Sequence, residues 1–364
     1  MEQNLLDGNK IKQKASRKSI IYIEVLRVIA VFLVLFNHTH ESGFMLYTVK
    51  TDSRFYWAYL FLSVFDKIAV PLFFMISGAL LLGREEGIWE IYRKRVFKFV
   101  MVILLVSGFY YLYTGVEEQG ASTVRDFFLS IYSENVIIQL WYLYAYLGFL
   151  VMLPLIRRMA QGMKPKEFIY LILIQTLFNG IVPGLQVLLG NDQVWLNGSF
   201  YIPLLTVGSI TFPMMGYFLE KNLEESAYKW KNTVALLLAG CVCIGVSCWV
   251  IDYSYSFLGY FSEGYHSQFV TIPAVAVFFA CKFLFEKIKL KPWAERTLIW
   301  LGSTTFGIYL MDRILRDKTA WIFDLLEVHM PTLLACIIWL VCIILIGACI
   351  TTLFKKLPIL KKLI

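Results

Sequence analysis

The chain has 364 residues, of which 59% are hydrophobic and only 16% are charged, and its formal net charge is +8. Soluble globular proteins usually contain about 45–50% apolar and about 25% charged residues. The composition therefore excludes a water-soluble enzyme, a secreted disulfide scaffold and a disordered chain. It predicts an all-α polytopic membrane protein.

The positive charge and the cysteines are both explained by a membrane location. Lysine and arginine lie between apolar runs, so they indicate membrane orientation and contact with lipid phosphates, and we expect no nucleic-acid partner. All seven cysteines lie within apolar stretches and lack metal-binding spacing. We therefore expect them to be small core residues and expect no metal site.

Apolar stretches long enough to cross a membrane recur along the chain. With about 18–25 residues per span, the sequence predicts about ten membrane-spanning helices, at roughly 20–40, 56–82, 97–115, 136–156, 167–190, 199–219, 233–252, 267–285, 298–312 and 329–354. The first follows a polar tail without a cleavage site, so we expect it to be retained as an anchor. We divide the chain into a cytoplasmic tail (1–18), a single transmembrane domain (19–354) and a second cytoplasmic tail (355–364).

The distribution of lysine and arginine predicts the orientation. With a cytoplasmic N-terminus, 25 of the 34 cations fall in inside segments, six in outside loops and three within spans. This bias predicts that both termini are cytoplasmic. In the external segment 116–135, four apolar residues share one helical face, which predicts a short helix on the outer interface; they are Phe127, Phe128, Ile131 and Tyr132.

Ionisable residues inside apolar spans are costly and therefore mark candidate functional sites. The first span contains Glu24, Arg27, Asn37, His38 and His40. Glu24 and Arg27 are three residues apart and can neutralise each other. Arg27 and His38 are eleven apart, which puts them on one helical stripe about 16 Å apart along the axis. A packing ion pair and an interfacial histidine explain the same spacing, and no aspartate is an obvious partner of His38.

The second span also carries charge. Asp66 and Lys67 are adjacent and face different ways, so they need separate partners. Pro71 frees a backbone carbonyl near Lys67, and the small pair Ser77–Gly78 permits close approach of a neighbouring helix.

A dense group of cations follows the second span. It contains Arg84 and the run Tyr92–Arg95. This group is either a topology signal or a docking patch for an anionic, phosphate-bearing donor.

Five segments, in chain order, resemble motifs of membrane acyltransferase family three. The first is an acidic residue, then Arg-x-x-Ala, then a histidine eleven residues after the arginine. The segments are Glu24–Ala30 with His38, Pro71–Leu81, Tyr92–Arg95, Leu140–Tyr144 with Pro154, and Gly302–Leu310. One position departs from the pattern, since the family often has a histidine where this chain has Asp312. The sequence resembles the stand-alone form, without an extracellular hydrolase-like domain.

The resemblance implies a multi-pass O-acyltransferase of the bacterial plasma membrane. It implies an acyl-CoA donor, usually acetyl-CoA, with no bound cofactor, and an acceptor hydroxyl on a surface glycan or its lipid-linked precursor. Within this expectation, His38 is the general base, and Arg27 with Glu24 completes the catalytic group. Further residues are expected to bind substrate: Arg93, Arg95, Ser77, Trp141 and Tyr309.

Several alternatives remain open from the sequence. A multispan transporter or flippase for a glycan or a small anionic solute would also use buried charges. An acyl-enzyme on His38 or Ser77 is possible but has no support in the sequence. Asp312 either forms an interfacial ion pair with Arg313 or fixes the protonation of a histidine or cation across the bundle.

Overall fold

A computed structural model describes residues 21–114, 124–189, 208–262 and 269–363, and throughout these ranges its regular secondary structure is helical. Several regions named in the sequence predictions lie outside the described residues, in whole or in part. They include the tail 1–18, residues 116–123 of the interfacial segment, and the start of the spans 199–219 and 267–285.

Apart from helical segments of three to five residues, thirteen helices follow one another in the described parts of the chain. They are α1 (21–37), α2 (Tyr56–Leu81), α3 (Ile88–Tyr113), α4 (Val124–Ser133), α5 (Ile138–Gly162), α6 (Pro165–Leu188), α7 (Gly208–Tyr217), α8 (Trp230–Leu258), α9 (Thr271–Lys287), α10 (Pro292–Leu310), α11 (Asp312–Glu327), α12 (Thr332–Phe354) and α13 (Pro358–Leu363). Six helices of the described part are long and apolar enough to cross a membrane: α2, α3, α5, α6, α8 and α12. The predicted all-α polytopic fold is confirmed, whereas the number of spans and the orientation stay predictions.

Each of the ten predicted spans overlaps a helix, but the longest helix outside them was not predicted. The residues after Asp312 were expected to form an external loop, and they form the 16-residue helix α11. Leu315, Thr319 and Phe323 are buried at intervals of four residues, so one stripe of α11 packs inward. A search for apolar stretches misses such a helix because its polar face lowers the mean hydropathy of the segment.

Two glycines bring the backbones of α2 and α7 into direct contact. A Cβ atom on Gly78 would lie 1.8 Å from the carbonyl oxygen of Pro213, and one on Gly216 would lie 2.0 Å from the carbonyl oxygen of Met75. Small residues allow such close helix packing inside a membrane. The second half of α2 is therefore fixed against α7.

The first helix lies between two buried clusters. Leu26 packs in the larger cluster with residues such as Leu72 of α2 and Phe278 of α9. Leu35 packs in a second cluster with Leu340 of α12. The ionisable residues of α1 are therefore held at the centre of the protein.

Candidate active site

A cavity of about 1040 Å³ runs along the inner face of α2. Residues of α2 line it from Asp66 to Leu81, which corresponds to about 22 Å of helix. Further wall residues come from α1, α3, α5, α7 and α10. His38 lies at one end of the cavity and a group of cations lies at the other.

His38 is paired with an aspartate from the other end of the chain. Helix α1 ends at Asn37, so His38 lies in the following turn, and its Nδ1 atom is 2.6 Å from Oδ2 of Asp312. Asp312 is the first residue of α11 and is 1% exposed. One turn later, Arg316 donates from Nε to Oδ1 of Asp312 at 2.9 Å. The buried carboxylate is thus held between an imidazole and a guanidinium.

The structure distinguishes the two alternatives for Asp312. The ion pair with Arg313 is not formed, because Arg313 pairs with Asp317, with Nε 3.5 Å from its Oδ2 atom. Asp312 instead contacts a histidine from across the bundle. The expectation that no aspartate partners His38 fails because α11 brings Asp312 to it from 274 residues away.

The pairing determines which nitrogen of His38 faces the cavity. A carboxylate only accepts hydrogen bonds, so the neutral imidazole carries its proton on Nδ1 and leaves the lone pair on Nε2. The side chain of His38 is 18% exposed and lines the cavity. His38 is therefore arranged to accept a proton from a molecule in the cavity.

The predicted pair Glu24–Arg27 is present. Arg27 donates from Nη1 to Oε1 of Glu24 at 2.7 Å. Glu24 is buried against Gly302, where a Cβ atom would lie 2.0 Å from Oε2 of Glu24. Arg27 is 30% exposed and lines the cavity. The direct partner of Arg27 is thus Glu24, and that of His38 is Asp312.

A break in α2 brings two charges to the cavity wall. The amides of Lys67 and Ile68 bond to carbonyls three residues earlier, and Pro71 has no N–H to bond the carbonyl of Lys67. Asp66 accepts a hydrogen bond from Nδ2 of Asn37 at 2.7 Å. Lys67 lies 4.2 Å from the ring centre of Phe44. The two residues have separate partners, as predicted.

The other end of the cavity is basic. Four cations line it: Arg84, Lys94, Arg95 and Lys98. The run Tyr92–Val96 forms a π-helical turn. Arg93 and Arg95 are two residues apart and so face roughly opposite ways on a helix. Arg95 lines the cavity, whereas Arg93 is exposed and lies outside the cavity lining. The geometry supports a substrate contact for Arg95 and gives none for Arg93.

Glu86 organises this basic end. Its carboxylate lies 2.5 Å from Nη2 of Arg95 and 3.1 Å from Nη2 of Arg157. The hydrogen bond from Arg95 lowers the pKa of Glu86, burial opposes this shift, and Arg157 adds to it. The sequence analysis counts Arg157 only as an orientation signal. It is in fact buried and also donates to the carbonyl oxygen of Leu81.

Aromatic side chains form the middle of the cavity. Ser77, Trp141 and Tyr309, expected to bind substrate, all line it. Ser77 donates to the carbonyl of Phe73, Tyr309 donates to the carbonyl of Gln139, and Trp141 is 45% exposed. Sequence reasoning missed further wall residues, since no local pattern distinguishes a cavity aromatic from a core one: Tyr142, Tyr146, Phe99 and Phe306.

The described residues contain no cluster of three His, Cys, Asp or Glu side chains able to hold a metal ion. The groups that the cavity presents are an imidazole paired with a carboxylate, hydroxyls and cations.

Comparison with known families identifies the protein. Residues 20–354 match the family model of an acyltransferase domain, that of acyltransferase family three. The chain belongs to acyltransferase family three. It is thus an enzyme that transfers acyl groups, and more specifically a multi-pass membrane O-acyltransferase. Family membership favours this activity over the transporter alternative. No curated protein sequence and no solved structure is significantly similar to the chain.

Proposed function

We propose that this family-three acyltransferase takes an acyl group, most simply acetyl, from cytoplasmic acyl-CoA. It passes the group to a hydroxyl of a surface glycan or of its lipid-linked precursor in the bacterial plasma membrane. The observation that carries this proposal is that one cavity joins the basic end to the His38–Asp312 pair.

The basic end suits the donor. Coenzyme A carries several phosphate charges, and arginine binds phosphate through paired hydrogen bonds while lysine adds charge. Arg84, Arg95 and Lys98 line this end, so they provide the contacts for the phosphates. From there the aromatic middle of the cavity leaves an apolar path for the acyl-bearing arm. The charge pattern of the loops predicts that this end faces the cytoplasm.

The opposite end suits proton transfer. Nε2 of His38 accepts the proton of the acceptor hydroxyl as its oxygen attacks the thioester carbonyl carbon. The tetrahedral intermediate then breaks its C–S bond, and the departing thiolate takes the proton from Nε2. Asp312 holds Nδ1–H and stabilises the imidazolium between these two transfers. The products are an ester and free coenzyme A, and no acyl-enzyme is required.

The cations inside the cavity also fit the transition state. Arg27 lines the cavity between the two ends, and its charge is partly balanced by Glu24. A fixed cation stabilises negative charge that develops on the carbonyl oxygen or stays on the donor. In this proposal Glu24 contacts Arg27 and no substrate, because it lies behind the cavity wall.

The test is transfer of label from radioactive acetyl-CoA in membranes that contain the wild-type protein, with vector-only membranes as the control. We expect label in the extractable glycan fraction above the control level. Unlabelled succinyl-CoA, added as a competitor, distinguishes acetyl from longer donors. Absence of donor-dependent label would overturn the proposal, and label confined to simple lipids would overturn the glycan acceptor.

A further inference from the structure

We propose that Asn37 binds the acceptor through its side-chain carbonyl oxygen and that the buried Asp66 positions it. This inference rests on the proposed function and adds a specificity residue to the same site. It commits to an acceptor with a second hydroxyl close to the one that receives the acyl group.

The hydrogen bond to Asp66 fixes the orientation of the Asn37 amide. Asp66 is 0% exposed, and its Oδ2 atom lies 2.7 Å from Nδ2 of Asn37. Because Nδ2 of Asn37 donates to Asp66, the amide nitrogen faces Asp66 and the carbonyl oxygen of Asn37 faces away from it. Among the described residues no donor bonds this oxygen, and it is not among their unpartnered buried atoms. It therefore stays accessible for a ligand.

The position of Asn37 assigns it to the acceptor rather than to the donor. Asn37 and His38 are consecutive, and both line the end of the cavity opposite the cations. A neutral amide oxygen accepts a hydrogen bond from a hydroxyl but has no attraction for a phosphate. A hydroxyl bound to Asn37 would hold the neighbouring hydroxyl of the same molecule close to Nε2 of His38.

The state of Asp66 supports a role other than packing. A buried carboxylate is costly unless it is paired, and Oδ1 of Asp66 has no hydrogen-bond partner in the described part of the chain. An apolar residue at this position would pack without that cost. The break in α2 that carries Asp66 also places it directly behind Asn37, so the carboxylate acts on the acceptor through the amide.

The experiment compares two acceptors that differ by one hydroxyl. Purified protein in lipid nanodiscs is given acetyl-CoA with either 1,2-octanediol or 1-octanol, and release of coenzyme A is followed. One neutral hydrogen bond contributes about 1 kcal/mol, so we expect the wild type to favour the diol by roughly fivefold in kcat/KM. Asn37→Leu should bring this ratio close to one, and Asp66→Asn should lower it in the same direction. Neither variant should change the KM for acetyl-CoA.

A matched control separates this role from folding. Ser63 lies one turn before Asp66 on α2 and is equally buried, without a partner in the described residues. Ser63→Ala should keep the wild-type preference for the diol. If Asn37→Leu also keeps it, or if the wild type labels glycan but does not prefer the diol, this inference falls and the proposed function stands. If the wild type transfers acetyl to no acceptor at all, both fall.

Discussion

The imidazole of His38 and the carboxylate of Asp312 lie 2.6 Å apart, although 274 residues separate them in the chain. Asp312 begins α11, where the helix N-terminus stabilises a carboxylate, and Arg316 holds it from the next turn. Asp312 is the position at which the chain departs from the family pattern expected from its sequence motifs. That departure therefore lies in direct contact with His38.

The pairing predicts a selective catalytic defect for Asp312→Asn. An asparagine at this position can donate to Nδ1 and so favour the wrong tautomer of His38. We expect kcat to fall at least about tenfold, on the scale of general-base contributions, with the KM for acetyl-CoA little changed. Asp317→Asn on the same helix is the control, since Asp317 is 38% exposed and pairs with Arg313. Equal turnover of the two variants would contradict the pairing's role.

The two arginines of the basic run should differ in donor binding. Arg95 lines the cavity, whereas Arg93 is exposed outside it. Arg95→Gln should raise the KM for acetyl-CoA roughly tenfold, because a charge-assisted hydrogen bond contributes about 1.5–3 kcal/mol. Arg93→Gln should leave it near the wild-type value. Steady-state kinetics in nanodiscs measures both, and equal effects would mean that the run acts only through its overall charge.

The low pKa of Glu86 predicts a pH-dependent stability. Its pKa lies below the ordinary value of 4.5 because of Arg95, against the effect of burial. A carboxyl with a lowered folded-state pKa contributes stability above its unfolded pKa, and this is lost as pH falls through the folded value. Glu86→Gln should therefore lower stability by roughly 1–3 kcal/mol at neutral pH, since Arg95 and Arg157 both lose their ion pair with its carboxylate.

Thermal unfolding in detergent tests the role of Glu86. The difference in Tm between the wild type and Glu86→Gln should be largest near pH 7 and should shrink below about pH 4. Glu85→Gln is the control, because Glu85 is exposed in the same loop. A difference that is constant over this pH range would show that the charge of Glu86 is not what stabilises the protein.

Local features were predictable from the sequence and long-range pairings were not. Composition and span length predict the helices, and a spacing of three residues predicts the pair Glu24–Arg27. No local period connects His38 with Asp312, because their contact depends on how α11 folds back. Arg93 and Arg95 are two residues apart, so helical spacing predicts that they face roughly opposite ways. It does not show which of the two faces the cavity, because that depends on how α3 packs against the other helices.

The contact between α2 and α7 predicts contrasting effects for two glycines. Gly78→Ala would place Cβ 1.8 Å from a backbone oxygen that has no room to move, so folding yield and Tm should fall. Gly245→Ala on α8 meets no atom within 4 Å and should be neutral or stabilising by up to about 1 kcal/mol. Fluorescence-detected size-exclusion chromatography with a thermal ramp compares them. Equal Tm values would mean that the helices are not packed this closely.

The central claim is that His38 is the general base. The most direct test compares His38→Ala with the wild type and with His40→Ala in the transfer of label from radioactive acetyl-CoA. His40 lies two positions after His38, is exposed and lies outside the cavity lining. It should therefore be dispensable for acyl transfer. We predict that His38→Ala loses label transfer at normal expression, while His40→Ala keeps most of it. Robust transfer by His38→Ala would contradict the assignment of His38 as the base, and with it the mechanism proposed for this cavity.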